Sequence, residues 1–348
     1  MSALRIAVVG AGLIGRRHIE IIKQSQDAKL SAVVDPFPAA AGIAAEAGVA
    51  YYRTLDELFL SEKPDAVVLA TPNALHVNGA LHCLEVRVPV LVEKPIAQTV
   101  EEAQRLVDAE DSAGVPVLIG HHRRHSPLLE AARKIVFDGV LGRLVAISGT
   151  ALFYKPDDYF EAAPWRREAG GGPVLINMIH EVDNLRALCG EVTRVQAVAS
   201  NSARGFEVED TVAITLSFAN GALGTFLLSD AAASARSWEQ TSQEDKSYPT
   251  YEEEDCYLIS GTRGSLSVPT MRLKTYADKA SWWEPFETST ADVVREDPLE
   301  RQLKHFIAVA RGECQPIVTA RDGLQTLRVT EAIAEAARTG NAVDIPAA

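Results

Sequence analysis

Along the first 120 or so residues, short apolar runs alternate with segments whose apolar positions recur at helical spacing. The runs RIAVVG (5–10), LSAVVD (30–35), DAVVLAT (65–71), VPVLVEK (88–94) and VPVLIG (115–120) are too short for helices, and most are hydrophobic almost without a break. That is the signature of parallel strands covered on both faces. Between them, Thr54 with Glu57 and Thr99 with Glu102 have capping-box spacing, in which a hydroxyl and a carboxylate satisfy the orphan amides of a helix start. Strands alternating with helices predict an α/β domain built on a doubly wound parallel sheet.

After about residue 125 the pattern changes. A helical stretch from Pro127 to Asp138 leads into a long strand, RLVAISGTALF (143–153). A polar stretch with three consecutive glycines (170–172) precedes a helix expected from Pro173 to Leu188. Strand-like runs follow at 192–200, 210–219, 221–229, 256–261 and 264–268. Asn220-Gly221 sits between two of them as a hairpin signal, because both residues tolerate positive φ. Two helical patterns, 298–312 and 321–338, close the chain. The expectation is an α+β domain with a mainly antiparallel sheet. It is read as residues 123–348, after the α/β domain at 1–122. The polar, patternless stretch 234–254 reads as a mobile loop.

Composition narrows the class. The 348 residues suffice for two domains, and 47% hydrophobic with 23% charged is the balance of a globular protein. No apolar run reaches the ~18 residues of a membrane helix, and the chain enters a strand at once with no charged leader. A net charge of −13 argues against a nucleic-acid partner. Cys83, Cys189, Cys256 and Cys314 stand singly, without metal-ligand spacing, which fits a reducing, cytoplasmic setting.

Residues 10–15 read GAGLIG, directly after a strand and opening a helix. Gly10 permits the tight turn, Gly12 lets backbone amides approach a pyrophosphate, and Gly15 allows close helix–strand packing, with Leu13 and Ile14 completing the turn. The helix N-terminus offers free N–H groups and partial positive charge. Asp35 ends the second strand, where a carboxylate accepts hydrogen bonds from ribose hydroxyls and repels a 2′-phosphate. The next residues, PFPAAA, hold no Arg or Lys. NAD is therefore expected over NADP. A plainer role for Asp35, as a turn residue before Pro36, stands beside this one.

GAGLIGRRH, then TPNALH (71–76), EKP (93–95) and GGGPVLINMIHEVD (170–183) resemble, in order and spacing, the Gfo/Idh/MocA oxidoreductase family over nearly the whole chain. The resemblance implies a Rossmann domain followed by an α/β domain whose open sheet makes dimer or tetramer contacts. Glu93, Lys94 and Pro95 follow the strand VPVLV, at a carboxyl strand end where doubly wound folds bind ligands. Lys94 there can donate to a substrate oxygen beside the nicotinamide; a surface pairing with Glu93 is the plainer alternative. By the resemblance, His180 exchanges the alcohol proton, which suits an imidazole titrating near neutrality. Asp183, one turn later on the same face, can orient the imidazole or share its proton. Where many members carry an aspartate one turn before the histidine, this chain has Ile176, followed by Asn177, a candidate substrate contact.

The resemblance also implies that Thr71, Pro72, Asn73 and His76 border the cofactor; a helix-capping role for Thr71 or Asn73 is compatible with that. It sets Arg123 or Arg124 at the mouth of the nicotinamide cleft, with His122 or Arg123 facing substrate. The three histidines of GHHRRH come without thiolate or carboxylate partners, and no metal is expected. Trp165-Arg166 match a pair common in the family and suit stacking on cofactor or sugar; packing is the alternative for Trp165. Tyr154, Lys155, Asp157 and Tyr159 lie in the preceding loop, where hydroxyl-recognising groups are expected. Together these imply an NAD-dependent dehydrogenase acting on a CH–OH group of a sugar or inositol-like polyol. The rivals are a dihydrodiol or semialdehyde dehydrogenase, an NAD-dependent glycosidase, and a non-catalytic dinucleotide sensor.

Overall fold

The five N-terminal runs all form strands of one sheet. The computed structural model describes residues 2–346. In chain order its first elements are β1 (Leu4–Val9), α1 (Leu13–Gln24), β2 (Ala28–Val34), α2 (Ala40–Ala47), β3 (Ala50–Tyr52) and α3 (Leu55–Ser61), then β4 (Ala66–Leu69), α4 (His76–Glu85), β5 (Val90–Val92), α5 (Val100–Ala113) and β6 (Val117–Ile119). The strands lie in the order β3-β2-β1-β4-β5-β6, every neighbouring pair parallel. β4, β5 and β6 are buried throughout, as a sheet covered on both faces requires. The short edge strand β3, AYY, carries too few residues to show a period and was not legible as a strand.

Both expected helix caps form. Thr54 Oγ1 accepts from Glu57 N and Thr99 Oγ1 from Glu102 N, each at 3.2 Å. The returning carboxylates reach one residue further back than a capping box asks, to the N–H of Arg53 (2.7 Å) and of Gln98 (3.3 Å).

The remaining elements are α6 (Pro127–Phe137), β7 (Leu144–Leu152), α7 (Asp157–Glu161), α8 (Ile179–Cys189), β8 (Val192–Ser200), β9 (Thr211–Phe218), β10 (Leu223–Ser229) and α9 (Trp238–Thr241). β11 (Tyr257–Gly261), β12 (Gly264–Val268), β13 (Arg272–Thr275), β14 (Glu287–Thr290), α10 (Pro298–Ala310), α11 (Ala320–Thr339) and β15 (Val343–Asp344) complete the chain. Nine strands form the second sheet, ordered β14-β13-β12-β11-β7-β10-β9-β8-β15. All its pairs are antiparallel except β7 with β10. The Asn220-Gly221 turn joins β9 to β10, with Gly221 at φ +86°. α6 and α8 pack one face through Leu128, Leu129, Val182, Leu185 and Leu188, all buried. The other face leaves Val145, Val198, Leu223, Leu227 and Leu258 exposed.

Two expectations need correction. The chain divides into two compact units, but not by a single break at 122/123: the first takes residues up to His122 together with Pro298–Leu327, and the second takes Arg123–Asp297 and the residues from Arg328 on. Leu303, Phe306, Ile307 and Val318 supply apolar faces that the Rossmann sheet buries, which draws this late segment into the first core. The stretch 234–254 is also not an unpacked loop. Ser237 caps α9 by accepting from Gln240 N, and Trp238, Thr241, Ser242 and Glu244 are buried.

Candidate functional site

In the first unit, three turns gather at the carboxyl ends of the adjacent strands β1, β4 and β5. Gly10, at φ +93°, has no room for a side chain: an added Cβ would lie 2.4 Å from the Ala70 carbonyl oxygen. At Gly15 a Cβ would fall 1.9 Å from the Gly10 carbonyl, so this glycine sets the helix–turn packing. Gly12 differs, because a Cβ there would meet nothing within 4 Å. Gly12 is the N-cap of α1 and makes no side-chain cap bond, and no acidic residue stands in the first turn. Leu13 is exposed and Ile14 half-buried. The open ground beside Gly12 and the uncapped amides of α1 fit a dinucleotide pyrophosphate. Thr71 Oγ1 is buried with no hydrogen-bond partner among the described residues, a polar group that a bound cofactor would satisfy.

Asp35 serves the turn chemistry. Its Oδ2 accepts from Ala11 N (2.8 Å), tying it to the glycine turn, and its Oδ1 accepts from Phe37 N (2.9 Å). Pro72 and Asn73 are exposed at the start of a 3₁₀ turn after β4.

His76 sits differently from the expectation that it borders the cofactor. Its Nδ1 lies 2.7 Å from the Pro95 carbonyl and its Nε2 2.8 Å from the Thr71 carbonyl, so the ring braces two loops. Burial lowers its pKa, against the pull of those two carbonyls and of Glu93. Glu93 is likewise turned inward. Its Oε1 meets His18 Nε2 at 2.7 Å and its Oε2 accepts from Lys94 N at 3.2 Å. Burial alone would raise its pKa; the hydrogen bond and charge of His18, with His122 and Lys94, outweigh it and leave the carboxyl below its ordinary value. Both side chains thus brace the turn that carries Lys94. Lys94 itself is half-buried, and its bond to Pro95 is cis.

In the second unit, the helix predicted from Pro173 is composite. Val174–Met178 form a π turn that runs on into α8. His180, Glu181, Asp183 and Asn184 are all buried. Asp183 Oδ1 accepts from Arg124 Nη1 at 3.2 Å, so Arg124 is the basic partner on this helix. Arg123 differs from the expectation that it faces substrate or the nicotinamide cleft; in the structure its guanidinium is turned into the protein. Its guanidinium is buried between Glu181 (2.6 Å) and Glu239, with Trp238 5.6 Å from its charge. Burial of Arg123 works against its charge, but Glu239 and Glu181 more than reverse this and raise its pKa. Glu181 also accepts from the buried Tyr257 hydroxyl.

His122 is half-buried in the 3₁₀ turn after β6. Trp165 is exposed; Arg166 stacks 3.8 Å over the ring of Tyr159 and donates to the Tyr159 carbonyl at 2.5 Å. That geometry engages the Arg166 guanidinium inside the loop. Tyr154 is exposed, with Arg204 5.1 Å over its ring. Asn177 is half-buried and held by Lys155 at 2.7 Å. Sequence reasoning missed the Arg204–Asp230 pair and the Glu181–Arg123–Glu239 network. Their members lie far apart in the chain, and no local spacing marks them.

Comparison with known proteins follows the same two-part layout. Residues 4–121 match the model of an oxidoreductase family with an NAD-binding Rossmann fold, and residues 129–267 match the GFO/IDH/MocA C-terminal domain. The chain is 28% identical to the rhizopine catabolism protein MocA of Rhizobium meliloti, covering 96% of this chain and 95% of that one. It is also 28% identical to 1,5-anhydro-D-fructose reductase of Ensifer adhaerens, with 98% of each chain covered. Among solved structures, the WlbA dehydrogenase of Bordetella pertussis, in complex with NADH and UDP-GlcNAcA, superposes with a TM-score of 0.80 at 27% identity over 100% of both chains. With the glycine turn, the EKP turn and the histidine helix each set in the matching half, the chain belongs to the Gfo/Idh/MocA family of NAD-binding oxidoreductases.

Proposed function

We propose that the protein is an NAD-dependent oxidoreductase that acts on a carbinol carbon of a sugar or cyclic polyol, or on the corresponding keto form. The observation that carries this reading is the setting of Lys94 after β5 and of the open glycine cradle after β1, at the same carboxyl edge of one parallel sheet with β4 between them. The turn at Gly10, Gly12 and Gly15 would hold the pyrophosphate and Asp35 the ribose hydroxyls, with Thr71, Pro72 and Asn73 along the edge. NAD, when bound, supplies the redox chemistry. Lys94 donates to the substrate oxygen and stabilises negative charge as it develops. His180 takes the hydroxyl proton in oxidation and returns it in reduction. Asp183, through its own bonding, keeps the helix around His180 fixed. The exposed apolar face of the second sheet supports a homodimer or homotetramer. The four cysteines are thiols, three of them buried, which supports a cytoplasmic location.

The test is NADH formation from NAD, or NADPH formation from NADP, with myo-inositol, pentoses, hexoses and 1,5-anhydro sugars, run beside Lys94→Ala and His180→Ala. Turnover with at least one of these is expected, falling about a hundredfold or more in each variant. Wild-type rates in both variants would refute the assigned roles. Tight NADH binding with no turnover of any panel member would favour a dinucleotide sensor, and turnover without net NADH a glycosidase.

A further inference from the structure

A second polar cluster lies at one end of the second sheet. Because β7 and β10 run parallel, their carboxyl ends finish side by side. Lys155 follows one and Asp230 the other, joined by Lys155 N donating to the Asp230 carbonyl at 2.9 Å. The Lys155 ammonium, with its side chain 11% exposed, lies 3.4 Å from Asp230 Oδ2 and donates to Asn177 Oδ1 at 2.7 Å. Asp230 Oδ1 is taken by Arg204 Nε at 3.0 Å, so the aspartate is shared between two cations.

An ammonium has donors and no acceptor, so it fixes which end of the Asn177 carboxamide faces it. The oxygen must point to Lys155 and the NH2 away from it. Among the described residues that NH2 has no hydrogen-bond partner. Asn177 lies in the π turn three residues before His180, and the backbone between them is helical, so the two side chains share a helix face.

We propose that Lys155 is a positioning residue that locks the Asn177 carboxamide with its NH2 outward, on the face that carries His180. The position then recognises an acceptor oxygen of the substrate, such as a carbonyl, carboxylate or ether oxygen, rather than a hydroxyl hydrogen. This rests on the reading of His180 as the proton-exchanging residue.

The lock depends on protonation. The groups facing the ammonium are Asp230, Arg204, Arg166, Tyr159 and Glu209. Burial lowers the Lys155 pKa to about 8, Asp230 opposes this, and Arg166 and Arg204 add to it. A neutral amine has a lone pair and accepts from an amide, so deprotonation frees the carboxamide to turn.

The test is the side-chain NH2 resonance pair of Asn177 in full-length protein labelled with 15N-asparagine, identified by its loss in Asn177→Asp. Titrated from about pH 6.5 to 9.5, it shifts with a midpoint near 8 in the wild type and stays level in Lys155→Arg and Lys155→Met. Enzyme assays with 1,5-anhydro-D-fructose and NADH add the kinetic arm. Lys155→Met raises KM about tenfold while kcat changes less than about twofold, the scale of one lost hydrogen bond. Lys155→Arg keeps its KM as pH rises past the point where the wild-type value climbs. An Asn177 signal indifferent to Lys155 overturns the lock, and an unchanged KM in Lys155→Met overturns its substrate-facing part. No turnover with the Asn177 titration intact counts against the proposed activity and leaves the lock standing.

Discussion

Glu244 offers a clean measurement of what burying a carboxyl costs this fold. The side chain is buried behind α9: Ser126 Oγ donates to Oε1 and Trp238 Nε1 donates to Oε2 at 3.0 Å. Burial outweighs both bonds and the nearby charges of Arg123 and Arg295, and pushes the pKa from 4.5 up to about 7. In the unfolded chain the carboxyl ionises near its ordinary value, while the folded chain holds the proton longer. A raised carboxyl pKa therefore removes stability as pH climbs from about 4.5 to 7, and the loss is complete above the folded value. At 1.36 kcal/mol per pH unit, the loss is about 3 kcal/mol as an upper figure.

Glu244→Gln keeps the shape and cannot ionise. Urea unfolding of both proteins, followed by emission of the buried Trp238, isolates the effect, because every other titrating group is common to the two. Near pH 5 the variants should agree within about 1 kcal/mol; at pH 8 the glutamine form should be the more stable by about 2–3 kcal/mol. A difference that does not change with pH, or one that favours glutamate at high pH, would refute the reasoning.

Further outcomes test other parts of the molecule. Gly15→Ala places a methyl against the Gly10 carbonyl and should lower the melting temperature and abolish NADH binding; Gly12→Ala has room, so it should melt near wild type yet lose most NADH affinity, as read by NADH fluorescence. Asp35→Ala should weaken NADH by about tenfold or more and NADPH much less, and equal losses would end its ribose role. Arg123→Met leaves Glu181 and Glu239 facing each other without their cation, and should cost about 3–5 kcal/mol in urea unfolding.

Much of this architecture is local and was therefore legible. The Rossmann strands announce themselves as unbroken apolar runs, Thr54 and Thr99 cap helices through contacts three residues away, and Asn220-Gly221 makes its hairpin. β13, β14 and β15 escaped notice because they are short strands at or next to the sheet's two edges, with pairing set by the sheet and not by their own period. Arg123 illustrates the other limit. Its place after β6 suggests a cleft, but its chemistry is decided by Glu239, 116 residues on, which nothing near it in the chain foretells. The π turn before His180 is similar: a Gly-Gly-Gly-Pro entry promises a helix start and says nothing of its winding.

The return of Pro298–Leu327 to the first unit has a consequence during synthesis. The nucleotide-binding sheet is translated within the first third of the chain, yet it waits for Leu303, Phe306, Ile307 and Val318 to cover it. Until those residues leave the ribosome, a patch of bare β-sheet must stay in contact with water or a chaperone while strands β7 to β14 of the second sheet are being made. A nascent chain stalled before residue 298 should therefore be open to protease in its N-terminal part, and one extended past Leu327 should resist.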